Sequence, residues 1–328
     1  MSVLVTGGAG YIGSHMVWKL LDAGEDVVVI DNLSTGFDWA VPAEAELVAA
    51  DIADQDTVET VMMRRGVDAI IHFAGSIIVP ESVTDPLGYY LNNTVKSRAL
   101  IESAVRLGVP HFIFSSTAAV YGTPEMVPVV EEAQTRPDSP YGTSKLMTEW
   151  MLRDTSAAHD ITYAALRYFN VSGADPRMRT GQSTRGATHL IKVASETATG
   201  KRPYMEIYGT DYPTPDGTCI RDYIHVSDLV EAHYLALQRL RSGGESIVAN
   251  CGYGRGYSVR EVIDTVKKTV GRDFEVRLNG RRPGDAVAIV ANADLTRREF
   301  HWEPRFDDLA TIISHAVEWE NRLKIRNN

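Results

Sequence analysis

Val3-Leu4-Val5-Thr6-Gly7-Gly8-Ala9-Gly10-Tyr11-Ile12-Gly13 opens the chain. A short apolar run passes into glycines spaced Gly-x-x-Gly-x-x-Gly, and an amphipathic pattern follows at once. Ile12, Met16, Val17, Leu20 and Leu21 share one helical face, and Gly24 supplies the stop. Strand, glycine turn and helix in that order bring backbone N–H groups and the positive end of a helix to one point, which suits a pyrophosphate. Glycine permits both the tight turn and the close approach. Gly7, Gly10, Tyr11, Ile12 and Gly13 are therefore candidate dinucleotide contacts; the plainer alternative is a glycine-rich turn without a ligand. Asp31 closes the next apolar run, and residues 32–37 contain no Lys or Arg. A carboxylate there accepts from a ribose 2′-hydroxyl and repels a 2′-phosphate, so NAD is expected rather than NADP. Its alternative role is to start the turn before Asn32.

Working outward, apolar runs recur at Ser2–Thr6, Asp26–Ile30, Glu46–Ala50, Ala69–Phe73, His111–Ser115 and Thr162–Tyr168. Helical patterns at 54–65, 86–107 and Tyr141–Ala158 separate the later ones. Continuous rather than alternating apolar runs imply strands buried on both faces, hence a parallel sheet between helices. The predicted fold is α/β, a Rossmann-type doubly wound parallel sheet with a smaller mixed α/β substrate-binding region. The expected division is an NAD-binding domain over 1–170 and a mainly substrate-binding region over 171–328, some segments of which return to pack on the first. In the second part, 171–188 and 209–219 read as loops, and Asp228–Leu240 and Val259–Val270 as helices. The last carries a capping box, Ser258 with Glu261.

The 328 residues suffice for a full core, and 44% apolar with 23% charged residues is ordinary for a globular chain. With 33 basic against 43 acidic side chains the net charge is −10. That disfavours a broad nucleic-acid or anionic-membrane surface, though a pocket can be locally basic. Cys219 and Cys251 are the only cysteines, which predicts buried inert thiols, no disulfide scaffold and no metal site. The chain starts directly on a strand pattern without a basic, apolar leader, so a cytoplasmic location is expected.

Tyr141 and Lys145 follow Pro140 at the start of a helix, one turn apart on one face. A Tyr-x-x-x-Lys match means little alone; its place after the glycine loop and after Ser115-Ser116-Thr117 carries the weight. A tyrosine with a free pKa near ~10 must fall by roughly three units to act as a base near neutrality. A lysine ammonium and a positive nicotinamide ring can supply that together. Thr117, beyond a strand's carboxyl end, can bridge a substrate oxygen and Tyr141; the alternative is a strand-end cap. The implied chemistry is reversible hydride removal from a carbon bearing a hydroxyl.

The glycine spacing departs from the Gly-x-Gly-x-x-Gly of typical dehydrogenases and resembles the extended short-chain dehydrogenase/reductase superfamily. That resemblance implies cofactor contacts at Asp31, Asn32, Asp51, Ile52, Phe73, Ala74, Gly75, Ser115, Tyr141, Lys145 and Tyr168. It implies a structural or cofactor-contacting Asn93. Ser115-Ser116-Thr117-Ala118-Ala119-Val120-Tyr121-Gly122 resembles nucleotide-sugar epimerases; the related 4,6-dehydratases place an acid pair where Ala118-Ala119 stands. Arg167-Tyr168-Phe169-Asn170, the stretch 209–226 and Arg282-Pro283-Gly284-Asp285 are similar to the UDP-glucose 4-epimerase family. The resemblance implies a UDP-sugar held by Asn170, Arg221, Arg282 and Asp285, with Phe169, Tyr208, Tyr223, Thr117 and Tyr141 also at the substrate. His189-Leu190 stands where the family often has Asn-Leu beside the uracil. Ile289 stands at the sugar-facing position, or is simply a buried strand residue. Ser76-Ile77 replaces a lysine that some members place near the cofactor phosphates. His225 is expected to cap or pack. The implied activity is interconversion of UDP-glucose and UDP-galactose by transient oxidation at C4, in a homodimer. A 4-epimerase for another UDP-sugar (UDP-xylose/UDP-arabinose or an N-acetylhexosamine) and a non-catalytic NAD-binding sensor are the alternatives.

Overall fold

A computed structural model describes residues 1–282 and 285–326; Pro283 and Gly284, inside the Arg282–Asp285 motif, lie outside them. The strands are β1 Ser2–Thr6, β2 Asp26–Asp31, β3 Glu46–Ala49, β4 Val67–His72, β5 His111–Thr117, β6 Thr162–Tyr168, β7 Asn170–Ser172, β8 Tyr204–Tyr208, β9 Ile220–His225, β10 Ile247–Cys251, β11 Gly256–Ser258, β12 Glu275–Asn279 and β13 Ala288–Ile289. The helices are α1 Tyr11–Asp22, α2 Gln55–Arg65, α3 Val79–Thr84, α4 Pro86–Tyr89, α5 Lys96–Arg106, α6 Pro140–Ala158, α7 Leu190–Ala198, α8 Val226–Arg241, α9 Val259–Val270, α10 Asp294–Phe300 and α11 Leu309–Arg326.

Seven parallel strands form the main sheet in the order β10-β6-β5-β4-β1-β2-β3. Successive residues feed opposite layers, which is why the runs are apolar throughout. Val3, Val5, Val27, Val29, Ala69 and Ile71 join one core, while Leu4, Val28, Ile30 and Ile70 join the other. α1 buries Met16, Val17 and Leu20, three of the face residues predicted for it. β10 comes from beyond residue 170 and adds the edge next to β6. A smaller sheet, β11-β9-β13 with β7 also paired to β9, and the parallel pair β12-β8 lie outside the main sheet.

Several boundaries move. β4 begins two residues earlier than expected and ends at His72, so Phe73 belongs to the loop. The 171–188 loop starts inside β7. The expected single helix over 86–107 is α4, a π-helical turn at Tyr90–Val95, and α5. Within the π turn the Asn93 carbonyl accepts from the hydroxyls of Ser97 and Thr148. Both cysteines are free and buried. The Ser258/Glu261 capping box on α9 forms, and His225 caps α8 by accepting from Ser227 N–H at 3.0 Å.

Candidate active site

Strand order reverses between β1 and β4, and the loops leaving both strands meet there. A Cβ on Gly7, which sits at φ +71°, would lie 2.6 Å from the Ala74 nitrogen. One on Gly13 would lie 2.1 Å from the Gly7 carbonyl oxygen. Only bare glycine lets the first turn of α1 pack this tightly on the strand ends. Gly10 occupies the N-cap without a side-chain cap, and the first-turn N–H groups have no intrahelical acceptor. A narrow cleft beside this turn is lined by Gly10, Tyr11, Thr35, Phe37 and Thr184 among others. An uncapped helix start packed this tightly on the strand ends, beside that cleft, fits the diphosphate of a dinucleotide.

Asp31 performs the turn role and stands where the ribose carboxylate is expected. It is 7% exposed; Oδ2 accepts from Ala9 N–H at 2.9 Å and Oδ1 from Leu33 N–H at 2.8 Å. The carboxylate thus ties the glycine loop to the end of β2, and each oxygen keeps a lone pair for a ribose hydroxyl. Asn32 accepts from Ser34 N–H and also bonds Asp51. Burial would raise the Asp51 carboxyl, but the hydrogen bond from Lys96 at 2.5 Å, Ala53 N–H and the Lys96 charge outweigh it and hold it below the usual range. Lys96 escaped the sequence reading; its partner Asp51 lies 45 residues away, which gave it no local signal. The Ile52 side chain is committed to the core, leaving its backbone to face a ligand. Asn93 is a clamp: its side chain accepts from Ser76 N–H at 2.7 Å and donates to the Ser76 carbonyl at 2.9 Å and to Ser144 Oγ at 3.1 Å. It therefore shapes the loop after Phe73-Ala74-Gly75 from inside. The hydroxyls of Ser115 and Tyr168 bond each other. Tyr11 donates to the Gly173 carbonyl at 2.8 Å and so ties the glycine loop to the second half of the chain.

Ser139 caps α6, accepting from Gly142 N–H, and Pro140 takes the first helical position. Tyr141 and Lys145 then fall on the buried face at 7% and 3% exposure. Lys145 Nζ donates to the Ser115 carbonyl at 3.0 Å and lies 5.0 Å from the Phe114 ring centroid. The Tyr141 phenol faces the Thr117 hydroxyl, whose Oγ1 accepts from Ala119 N–H at 3.1 Å. Thr117 is thus the cap offered as the alternative to a bridge, with the Tyr141 phenol beside it. Burial pushes the Lys145 ammonium down to about 8. Burial also pushes the Tyr141 phenol up, against the Thr117 hydrogen bond. This reverses the direction expected from a Tyr–Lys pair. Lys145 is aimed at a backbone carbonyl, and the same desolvation penalises both charges. Of the two sources considered, a positive nicotinamide ring is the one left to lower the phenol.

The substrate-side residues gather from distant segments. Parallel pairing of β7 with β9 sets Asn170 beside Tyr223. Asp285 lies between two arginines, 3.0 Å from Arg282 and 3.9 Å from Arg221. Arg282 also covers the Tyr208 ring at 4.8 Å. Two guanidiniums on one carboxylate leave a local positive excess in an acidic chain, which suits a diphosphate. Ile289 pairs in register with Arg221 and packs on the cluster of Ala118, Leu146 and Phe169. It is a half-buried strand residue of β13. His189 occupies the N-cap of α7 without capping it, and Leu190 opens the helix. Tyr212, under the Arg281 guanidinium at 4.2 Å, joins this group unforeseen. Its charge neighbours include Asp285 and Arg221.

Residues 3–252 match the profile of the NAD dependent epimerase/dehydratase family. The chain belongs to this family. It is 56% identical over 322 residues to a UDP-glucose 4-epimerase of Azospirillum brasilense, covering 98% of this chain and 92% of that one. It superposes on the UDP-glucose 4-epimerase of Bifidobacterium longum, solved with NAD+ and UDP, with a TM-score of 0.93 at 36% identity, covering 98% of both chains. The UDP-Glc/GlcNAc 4-epimerase of Campylobacter jejuni gives a TM-score of 0.86 at 46% identity, covering 98% of this chain and 99% of that one. In this epimerase/dehydratase, Ala118 and Ala119 start a 3₁₀ turn directly after Thr117 and offer no acid to expel a hydroxyl.

Proposed function

We propose that the chain is an isomerase interconverting UDP-glucose and UDP-galactose, with NAD as its bound cofactor. The observation that carries this reading is the buried group of Thr117, Tyr141 and Lys145 at the end of β5, with Lys145 held by the Ser115 carbonyl, in a chain that also carries the glycine cradle and the Arg221/Arg282/Asp285 cluster.

Gly7, Gly10, Tyr11, Ile12, Gly13, Asp31, Asn32, Asp51, Ile52, Phe73, Ala74, Gly75 and Ser115 would hold the dinucleotide. Bound NAD supplies a reversible hydride acceptor for the sugar C4. Tyr141 takes the proton from the sugar O4 and later returns it. Thr117 bridges that oxygen and the phenol. Lys145, held by the Ser115 carbonyl one turn along α6 from Tyr141, would help to hold the dinucleotide. Arg221, Arg282 and Asp285 anchor the UDP while the 4-keto sugar turns its other face. The region 171–328 mainly binds substrate.

Incubation with UDP-galactose, UDP-GalNAc and UDP-arabinose separately, without added NAD, followed by product analysis, tests the reading. UDP-glucose formed from UDP-galactose is the expected result; none with any of the three sugars refutes it. Conversion of the N-acetylated sugar as well would support the broader reading, which Ile289 and the similarity to the Campylobacter jejuni enzyme favour. A sensor would show no cycling of cofactor absorbance near ~340 nm when mixed with UDP-glucose.

A second copy of the chain is the proposed partner. Leu87, Leu91 and Val95, four residues apart, are 78%, 55% and 53% exposed along the helical run of α4 and the π turn. An apolar stripe of this kind supports a homodimer, and sedimentation of Leu91→Glu as a monomer would test it. No described helix is long and apolar enough to cross a membrane, and we place the protein in the cytoplasm.

A further inference from the structure

Glu149 and Arg167 form a buried ion pair behind the catalytic strand, with side chains 4% and 8% exposed. The pair is bidentate: Arg167 Nη2 donates to Glu149 Oε2 at 2.6 Å and Nε to Oε1 at 3.0 Å. Glu149 Oε1 also accepts from the Ser116 hydroxyl. On the other side, Arg167 Nη1 donates to the Tyr121 hydroxyl at 3.0 Å and the Glu131 carbonyl at 3.2 Å. Tyr121 in turn donates to Asn250 Oδ1 at 2.7 Å, and Asn250 donates to the Val129 carbonyl at 3.0 Å. Val129 N–H donates to Val290 in the segment that carries Ile289.

The placement is the informative part. Glu149 lies one turn beyond Lys145 and two beyond Tyr141 on the buried face of α6. Ser116 lies between Ser115, whose carbonyl holds Lys145, and Thr117, whose hydroxyl meets Tyr141. Arg167 sits directly across from Ser116 in the β5–β6 register. One carboxylate therefore joins helix, catalytic strand and neighbouring strand, a single residue from each catalytic contact. Apolar residues of similar volume often replace a buried pair at no loss of stability, so stability alone is a weak reason for its presence. A bidentate pair does fix direction, because both N–H···O bonds hold only at one rotation and height of the helix.

We propose that Glu149–Arg167 is a positioning pair that sets α6 over β5 and so aligns Tyr141 and Lys145 with Thr117. It touches neither substrate nor cofactor. The inference rests on the epimerase reading above.

The test is the double variant Glu149→Leu/Arg167→Met, compared with wild type on UDP-galactose. The expected result is a melting temperature near that of wild type, KM within about twofold, and kcat lower by roughly 10–100-fold, the cost of a misplaced catalytic group. Glu149→Asp, which keeps the charge, should recover part of kcat. Amides of residues 141–145 should exchange with deuterium at least about tenfold faster, with the rest of the chain unchanged. A double variant with wild-type kcat, or one whose loss lies entirely in KM, overturns the proposal. Should the double variant fail to fold, Ser116→Ala removes only the strand-to-helix bond; kcat lower by roughly 3–10-fold supports the proposal and unchanged kcat overturns it. If wild type turns over no UDP-sugar, the epimerase reading falls, and exchange at 141–145 still decides the positioning role: unchanged rates in the double variant overturn it.

Discussion

Replacing Asp31 by alanine should damage the fold and the cofactor site together, in separable amounts. The carboxylate is buried and accepts two backbone N–H groups, from Ala9 in the glycine loop and Leu33 in the turn after β2. Hydrogen bonds to a charged group contribute about 1.5–3 kcal/mol each, so losing both should destabilise the chain by roughly 3–6 kcal/mol. At ~2–4 °C per kcal/mol for a large domain, the cofactor-stripped variant should melt roughly 6–24 °C lower. Each ribose hydroxyl bond lost should weaken NAD about 10–100-fold on the same scale. Removal of the negative charge should also narrow the preference for NAD over NADP. The assay is a thermal melt of stripped protein beside calorimetric titrations of NAD and NADP. A lowered melting temperature with an intact NAD preference would reduce Asp31 to a turn residue. An unchanged melting temperature would refute the reasoning from its two backbone bonds, whatever the titrations show.

Tyr141→Phe should lower turnover by about 10²–10⁴-fold, the range for a lost acid–base group, while NAD still binds; turnover within a few-fold of wild type would remove Tyr141 from the chemistry. Because burial lowers Lys145 to about 8 in the folded chain, the unfolded chain binds the extra proton between about pH 8 and 10.4. Its stability contribution is therefore fully present above the unfolded pKa and is lost as pH falls through about 8, so wild type should gain on Lys145→Met by roughly 3 kcal/mol across that window in denaturant titrations of stripped protein. Ser76 is engaged by Asn93 and Asn92, and Ile77 is exposed without a charge; exhaustive dialysis should lower activity, and added NAD should restore it. Ile289 borders Phe169 and Ala118, so wild type should turn over UDP-GlcNAc weakly, and Ile289→Tyr should lower its kcat/KM relative to UDP-glucose by about tenfold or more; equal ratios in the two proteins would remove Ile289 as a gate.

The strand–glycine–helix opening, the doubly wound sheet and the Tyr141–Lys145 face were legible in the chain itself. Each depends on local sterics and periodicity: glycine where a Cβ has no room, apolar runs where both faces are buried, and i, i+4 spacing on a helix. The capping box at Ser258 and the cap at His225 belong to the same class. Other features depended on residues that meet only in space. The helix over 86–107 is interrupted by a π turn whose Asn93 carbonyl accepts from hydroxyls on α5 and α6. β10 returns to a sheet whose other strands lie before residue 170. Asp285 pairs with Arg221 only because β9 and β13 run side by side. Glu149 carried the same four-residue spacing after Lys145 that Lys145 carries after Tyr141, yet its partner Arg167 comes from a different strand. The direction of the Tyr141 shift was set by tertiary structure as well. Spacing brings a lysine near a phenol, but desolvation and the Ser115 carbonyl determine what that lysine does, and both are properties of the packed interior.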